Sequence, residues 1–294
     1  MFDVWCAYLR MPYSPPTDVL KRAVEFLLAN PRPDAEPLDQ AIEEERRQEL
    51  EVRLTAQRLL VTHLSIAPTE AGKSTYWLTS EGRRLIIDLV GAVLVDFNAG
   101  DCAVGRANFR LAQLHGYTYL DGVQFRDSVS LEMAQFHGDA SLNDAQFYGD
   151  ASLSEAQFHG DASLSEAQFH GVANLDLAQF HGDANLAGVK FHDLASLSEA
   201  QFHCTARLVR AEFRDSANLT ETQFHGDADF TRAQFHGVAN LDEAQFAEGV
   251  NLKDSWATSR ARLPVGWLLQ AAQSENDQLR PVVREDHVSN ELHD

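Results

Sequence analysis

The sequence predicts an all-β parallel solenoid, on the strength of two periodic apolar columns and the residues between them. Phenylalanine recurs at every eleventh position, at Phe125, Phe136, Phe147, Phe158, Phe169, Phe180, Phe191, Phe202, Phe213, Phe224, Phe235 and Phe246. Leucine keeps the same period at Leu120, Leu131, Leu142, Leu153, Leu164, Leu175, Leu186, Leu197, Leu208, Leu219, Leu241 and Leu252, with Phe230 as the one substitute. A fixed period of this kind marks units that stack along one axis and bury their apolar faces on one another. The two columns are the expected structural core.

One unit reads Ala-Gln-Phe-His-Gly-Asp-Ala-Ser-Leu-Ser-Glu, as over residues 156–166. It divides into five residues, a linker, and five more. A small residue stands two places before each large one: Ala134 before Phe136, Ala140 before Leu142, Ala145 before Phe147. In an extended segment such i−2, i pairs point to one face. Each five is therefore a short strand followed by a corner. Gly138, Gly149, Gly160, Gly171, Gly182, Gly226 and Gly237 fall at corners, where positive φ is the expected reason for glycine. An eleven-residue unit split in this way lacks the 3, 4, 7 stripe of an amphipathic helix. Right-handed coiled coils also repeat every eleven residues, but Gly with Ser, Asn and Asp in unit after unit opposes a long helix.

The spacing of inward centres is first a strict five: Leu89, Leu94, Ala99, Val104, Phe109, Leu114. From Leu120 it alternates five and six, and the sixth residue is often Asp. Over roughly residues 87–254 the pattern resembles the pentapeptide-repeat family, whose units read Ala-(Asp/Asn)-Leu/Phe-x-x. The resemblance implies a right-handed quadrilateral parallel β-helix, one unit per side and 22 residues per coil. The chain then has about eight coils, a rod of roughly 35–40 Å at the usual strand spacing.

Three regions are expected: a helical N-terminal region over 1–84, the β-helix over 85–256, and a C-terminal cap and tail over 257–294. Helices are predicted at 2–10, 17–30 and 38–64, the last with Leu50, Leu54, Val61 and Leu64 on one side; Pro31, Pro33 and Pro37 interrupt them. The stretches Cys6-Ala-Tyr-Leu-Arg-Met-Pro-Tyr13 and Glu51-Val-Arg-Leu-Thr-Ala-Gln-Arg-Leu-Leu60 resemble those preceding the repeats in larger actinobacterial pentapeptide-repeat proteins. There they end a helical, often membrane-anchored part, so this chain reads as a shortened bacterial member. The helices would cap the open edge of the first coil. Trp256 and the stretch 262–267 would plug the far end, and residues from about Gln273 read as a disordered polar tail.

The net charge is −20: −4 over residues 1–96, −14 over 97–255 and −2 over 256–294. This balance opposes direct binding to nucleic acid or anionic lipid and favours a basic protein partner. Three scattered cysteines without a CxxC fit a reducing compartment. No signal peptide opens the chain, and the longest apolar run, 85–95, carries Asp88. A soluble cytoplasmic protein without membrane contact is expected.

Ala67-Pro-Thr-Glu-Ala-Gly-Lys-Ser74 matches a permissive phosphate-loop pattern, but a helix precedes it where a strand is needed, so it reads as a surface loop. Nine histidines directly follow an inward centre. With 22 residues per coil, His115, His137, His159, His181, His203 and His225 share one face; His170, His192 and His236 share another with Arg126, Tyr148 and Arg214. Such a ladder is a candidate Zn²⁺ or Ni²⁺ ligand set that would titrate near pH 6–7. The preferred reading is solvent-facing rings that stack passively in a duplicated repeat. Acidic columns form at Glu155, Glu166, Glu199, Glu221 and Glu243, and at the linkers Asp139, Asp150, Asp161, Asp183 and Asp227.

Within the family, quinolone-resistance members use a negative rod to imitate duplex DNA and bind topoisomerase. By DNA's charge density a rod of this length would need about 22 charges. Here the solenoid carries −14, interrupted by Arg207, Arg210, Arg214 and Arg232, so DNA mimicry against DNA gyrase ranks second. Chance Asp, His and Ser sets would lie on a convex surface, unsuited to catalysis. The expected function is non-enzymatic, without cofactor: a protein-binding scaffold whose face carries polar ladders of Gln135, Gln146, Gln157, Gln168, Gln179 and of Asn174, Asn185, Asn218, Asn240.

Overall fold

Strands two or three residues long have too few backbone groups to stand alone, so the repeats pair each strand with its equivalent one coil away. The computed structural model describes residues 2–16, 19, 37–64, 86–270 and 279–285. Register is 22 residues: Phe136 pairs with Phe158 and Phe158 with Phe180, while Phe125 pairs with Phe147 and Phe147 with Phe169. The result is four sheets around one axis, named here from one coil in chain order: the Leu131, Phe136, Leu142 and Phe147 faces. They hold 8, 8, 7 and 10 strands. Eight coils at about 4.8 Å make a rod of about 34 Å.

The core is two opposed phenylalanine stacks with leucine between. On the Phe136 face, ring centroids from Phe136 to Phe224 lie 4.5–4.9 Å apart and nearly parallel. Phe125 to Phe235 and the leucines Leu131 to Leu252 are buried. Phe246 is only half-buried: it stacks on Phe224 at 4.9 Å, and no phenylalanine follows it in the column. Each fully buried ring contributes about 1.5–3 kcal/mol.

The corners differ from expectation. None of the seven corner glycines takes positive φ. That conformation falls on the second residue after each leucine centre, as at Glu155 (57°), Glu166 (57°), Leu177 (59°) and Glu199 (56°). It closes a tight turn in which Ala156 N donates to Leu153 O at 3.1 Å. The glycines answer to space instead: a Cβ on Gly182 would lie 2.5 Å from the carbonyl oxygen of Gly160, one coil away.

Helices α1 (Phe2–Leu9) and α2 (Pro37–Thr62) close the first coil. The buried stripe of α2 and its end is Arg53, Ala56, Gln57, Leu60 and Leu64; Leu50, Leu54 and Val61 are half-buried. Arg53 donates to Leu9 O (3.1 Å), Met11 O (2.9 Å) and Glu49 Oε1 (2.9 Å), which ties the segment after α1 to α2. Gln57 donates to Val95 O at 2.8 Å and accepts from Val95 N at 3.1 Å, blunting a sheet edge. The helix predicted at 17–30, apart from Val19, and the loop at 67–74 lie outside the described residues.

The far end is capped in part as the sequence reading has it: Leu263 and Trp267 of the 262–267 stretch pack against the core. Trp256–Thr258 is the last parallel strand, yet Trp256 is exposed and Ala257 takes the inward place beneath Phe235. Leu279–Arg284, read as part of a disordered tail, is a six-residue strand. It pairs antiparallel with both Trp256–Thr258 and Trp267–Leu269. Its Val282 is buried in the core, a contact that the polar composition of the segment concealed.

Candidate docking surface

Counting by 22 divides the charge unevenly around the rod. Over residues 129–251, the half-coils running from the Leu131 face through the Phe136 face to the Leu142 face carry 13 acids: Glu132, Asp139, Glu155, Asp161, Asp176, Asp183, Glu199, Glu221, Asp227, Asp229, Asp242, Glu243 and Glu248. Arg207 is their one basic residue. The complementary half-coils, through the Phe147 face, carry six acids (Asp144, Asp150, Glu166, Asp193, Glu212, Asp215) and four bases (Lys190, Arg210, Arg214, Arg232). One side is thus −12 and the other −2.

The predicted acidic columns split accordingly. Glu155, Glu199, Glu221 and Glu243 share the corner entering the Phe136 face, all exposed, while Glu166 lies on the opposite side. Asp139, Asp161, Asp183 and Asp227 share the corner leaving the Phe136 face, and Asp150 lies opposite. The linker aspartates also explain their own residue type. Asp139 Oδ1 accepts from Asp161 N (3.0 Å), Asp161 Oδ1 from Asp183 N (2.9 Å), and Asp183 Oδ1 from Thr205 N (3.1 Å). Asp150 does the same for Val172 N at 3.0 Å. Each caps a corner N–H that the strands leave unpaired.

Gln135, Gln157, Gln179, Gln201, Gln223 and Gln245 run in register along the Phe136 face. Gln146 and Gln168 belong to the Phe147 face, where Lys190 and Glu212 continue the row. Asn174, Asn218 and Asn240 line the Leu131 face and Asn185 the Leu142 face.

The six-membered histidine column forms on the acidic side. Centroids of successive rings from His115 to His225 are 4.3, 5.3, 5.1, 4.7 and 5.1 Å apart, with planes within 11°. Burial differs along it: His115 is buried, His137, His159 and His181 are half-buried, and His203 and His225 are exposed. Burial pushes His115 down to about 4, helped by the charge of His137, and lowers His137, His159, His181 and His203 for the same leading reason. This corrects a common titration near pH 6–7: stacking removes water from the rings and sets like charges side by side. Parallel rings also aim their lone pairs in parallel, and among the described residues no group of three or more His, Cys, Asp or Glu is placed to hold a metal.

The second column stands on the opposite corner. Arg126 lies 4.7 Å over Tyr148, Tyr148 stacks on His170 (5.0 Å), His170 on His192 (4.5 Å), and Arg214 approaches His192 Nδ1 at 3.1 Å. Counting by coil separated these two histidine columns in the sequence; the acids, grouped by the eleven-residue unit, concealed the two-sided charge.

Four sheets of very short parallel strands, with like residues stacked on like, define a β-solenoid repeat protein. The repeats belong to the pentapeptide-repeat family: the model described as Pentapeptide repeats (9 copies) matches residues 120–168, 164–212 and 208–256. No curated protein and no solved structure matches it. Among the described residues no helix is long and apolar enough to cross a membrane.

Proposed function

We propose that the protein is a non-enzymatic docking module whose acidic side binds a basic surface of another protein. The observation that supports this is the segregation, over residues 129–251, of 13 acids with a single arginine onto one side of a rigid rod. Like charges held in columns repel one another and gain from a cationic partner. The test is affinity capture with the parent and two charge-matched variants. Glu155→Gln/Glu199→Gln/Glu221→Gln neutralises the acidic side; Asp144→Asn/Glu166→Gln/Glu212→Gln neutralises the other. A partner kept by the parent and the second variant but lost by the first supports the reading. Equal retention by all three removes the acidic side as the docking surface.

A second reading is DNA mimicry, favoured by two carboxylate columns that flank an uncharged glutamine floor on the Phe136 face. It expects inhibition of DNA gyrase supercoiling that disappears in the first variant. A full titration without inhibition sinks it.

A further inference from the structure

The histidine column stands within the acidic side, and its surroundings determine what a proton there would do. On its own corner lie Asp139, Asp161, Asp183 and Asp227, with Glu248 in the last coil. Across the glutamine floor stands the glutamate column, and on the Leu142 face Tyr119, Arg207 and Asp229. Cys204 Sγ donates to His181 O at 3.1 Å. At the cap end Asp96 Oδ1 accepts from Tyr117 N at 3.1 Å, and neutral Gln57 holds Val95, the strand partner of His115. The neighbouring charges are thus carboxylates with one guanidinium, and a charge gained by the rings is set directly against them.

We infer that this side docks a lysine- or arginine-rich segment of its partner, and that the histidine column releases that segment on acidification. The inference rests on the docking reading above. With the rings neutral, the two carboxylate columns face the partner, with Asp183 paired to Arg207 at 3.9 Å. Protonated rings place cations between those columns, cancelling the field that attracts a basic chain and repelling the chain itself. The stack makes the response graded. Burial deepens from His203 toward His115, and charge on one ring discourages charge on its neighbour, so His115 resists protonation most. Partner chemistry follows from charge complementarity: over residues 129–251 cationic side chains meet 13 acids and Arg207, while Arg110 and Arg262 pair with Glu132 and Asp242 at the two ends of this side.

The experiment is fluorescence anisotropy of a labelled oligoarginine peptide with the full chain at constant ionic strength. It compares about pH 7.5 with the lowest pH, near about 5, at which the circular dichroism spectrum is unchanged. The expected result is binding at the higher pH and affinity weaker by about tenfold at the lower. His159→Gln/His181→Gln/His203→Gln should bind like the parent at the higher pH and lose most of the pH response, which separates imidazole from carboxylate titration. Absence of peptide binding at the higher pH overturns the docking reading itself. Binding that is equal at both pH values, or a full pH response in the triple variant, overturns the gate and leaves docking standing.

Discussion

The Phe136 and Phe147 faces are built from one repeat and bury equivalent rings, yet they present different surfaces. Outward on the Phe136 face, glutamine occupies six successive coils from Gln135 to Gln245. On the Phe147 face the same row reads Gln146, Gln168, Lys190, Glu212, Gln234 and Trp256. Lys190 and Glu212 keep parallel pairing as well as glutamine does, so the fold does not demand the outward residue. It demands the inward ring and the small residue two places before it. Uniformity on the Phe136 face is therefore a property of the surface, and the charge split follows the same line.

The strongest test of that separation is to attack the shared part. Phe180→Asp and Phe191→Asp place a carboxylate in opposite columns, each between rings about one strand spacing away. An unpaired buried charge with a lost aromatic should cost more than about 5 kcal/mol in either case. Both variants should lose cooperative thermal unfolding by circular dichroism. Survival of one alone would mean that the two columns are not equivalent, and the comparison would fail at its root.

The inward columns were legible because a period survives any ignorance of geometry. The cap was legible in outline only. Leu60 and Leu64 follow helical spacing, but burial of Arg53 depends on the carbonyls of Leu9 and Met11, brought 42 to 44 residues through the fold. The corner glycines were found for the wrong reason, since the close approach of Gly182 to Gly160 exists only once coils are stacked. The two-sided charge was present in the sequence but divided by the wrong number: Glu155 and Glu166 are identical by repeat and opposite by coil.

Acid tests the histidine column next. His115 is buried with neither ring nitrogen bonded to a partner, and its pKa lies near about 4. A histidine whose folded pKa is lowered is protonated first in the unfolded chain. Stability is full above the unfolded value near about 6.5 and falls as pH drops toward the folded value, by about 3 kcal/mol in all. His115→Phe keeps the stack on His137 and should abolish that part of the acid loss in urea titrations between about pH 7 and 4. If His115→Phe destabilises as steeply with acid as the parent, the buried ring is not the acid-labile element.

The smallest effect distinguishes strain from charge. Glu155 and Glu166 hold the same left-handed corner, at 57°, on opposite sides of the rod. Glycine relieves that conformation but adds freedom to the unfolded chain, so each Glu→Gly substitution should stabilise by about 0.5 kcal/mol. At low salt Glu155→Gly also removes a carboxylate from a column of like charge, whereas Glu166 faces a side that holds four bases. Its gain should therefore exceed that of Glu166→Gly by a few tenths of a kcal/mol. Near 1 M salt, where screening acts over about 3 Å, the two gains should converge. Chemical denaturation in urea at two ionic strengths measures both. Convergence assigns the difference to the surface and the remainder to the corner; a difference that persists in high salt would show that the two corners are not equally strained.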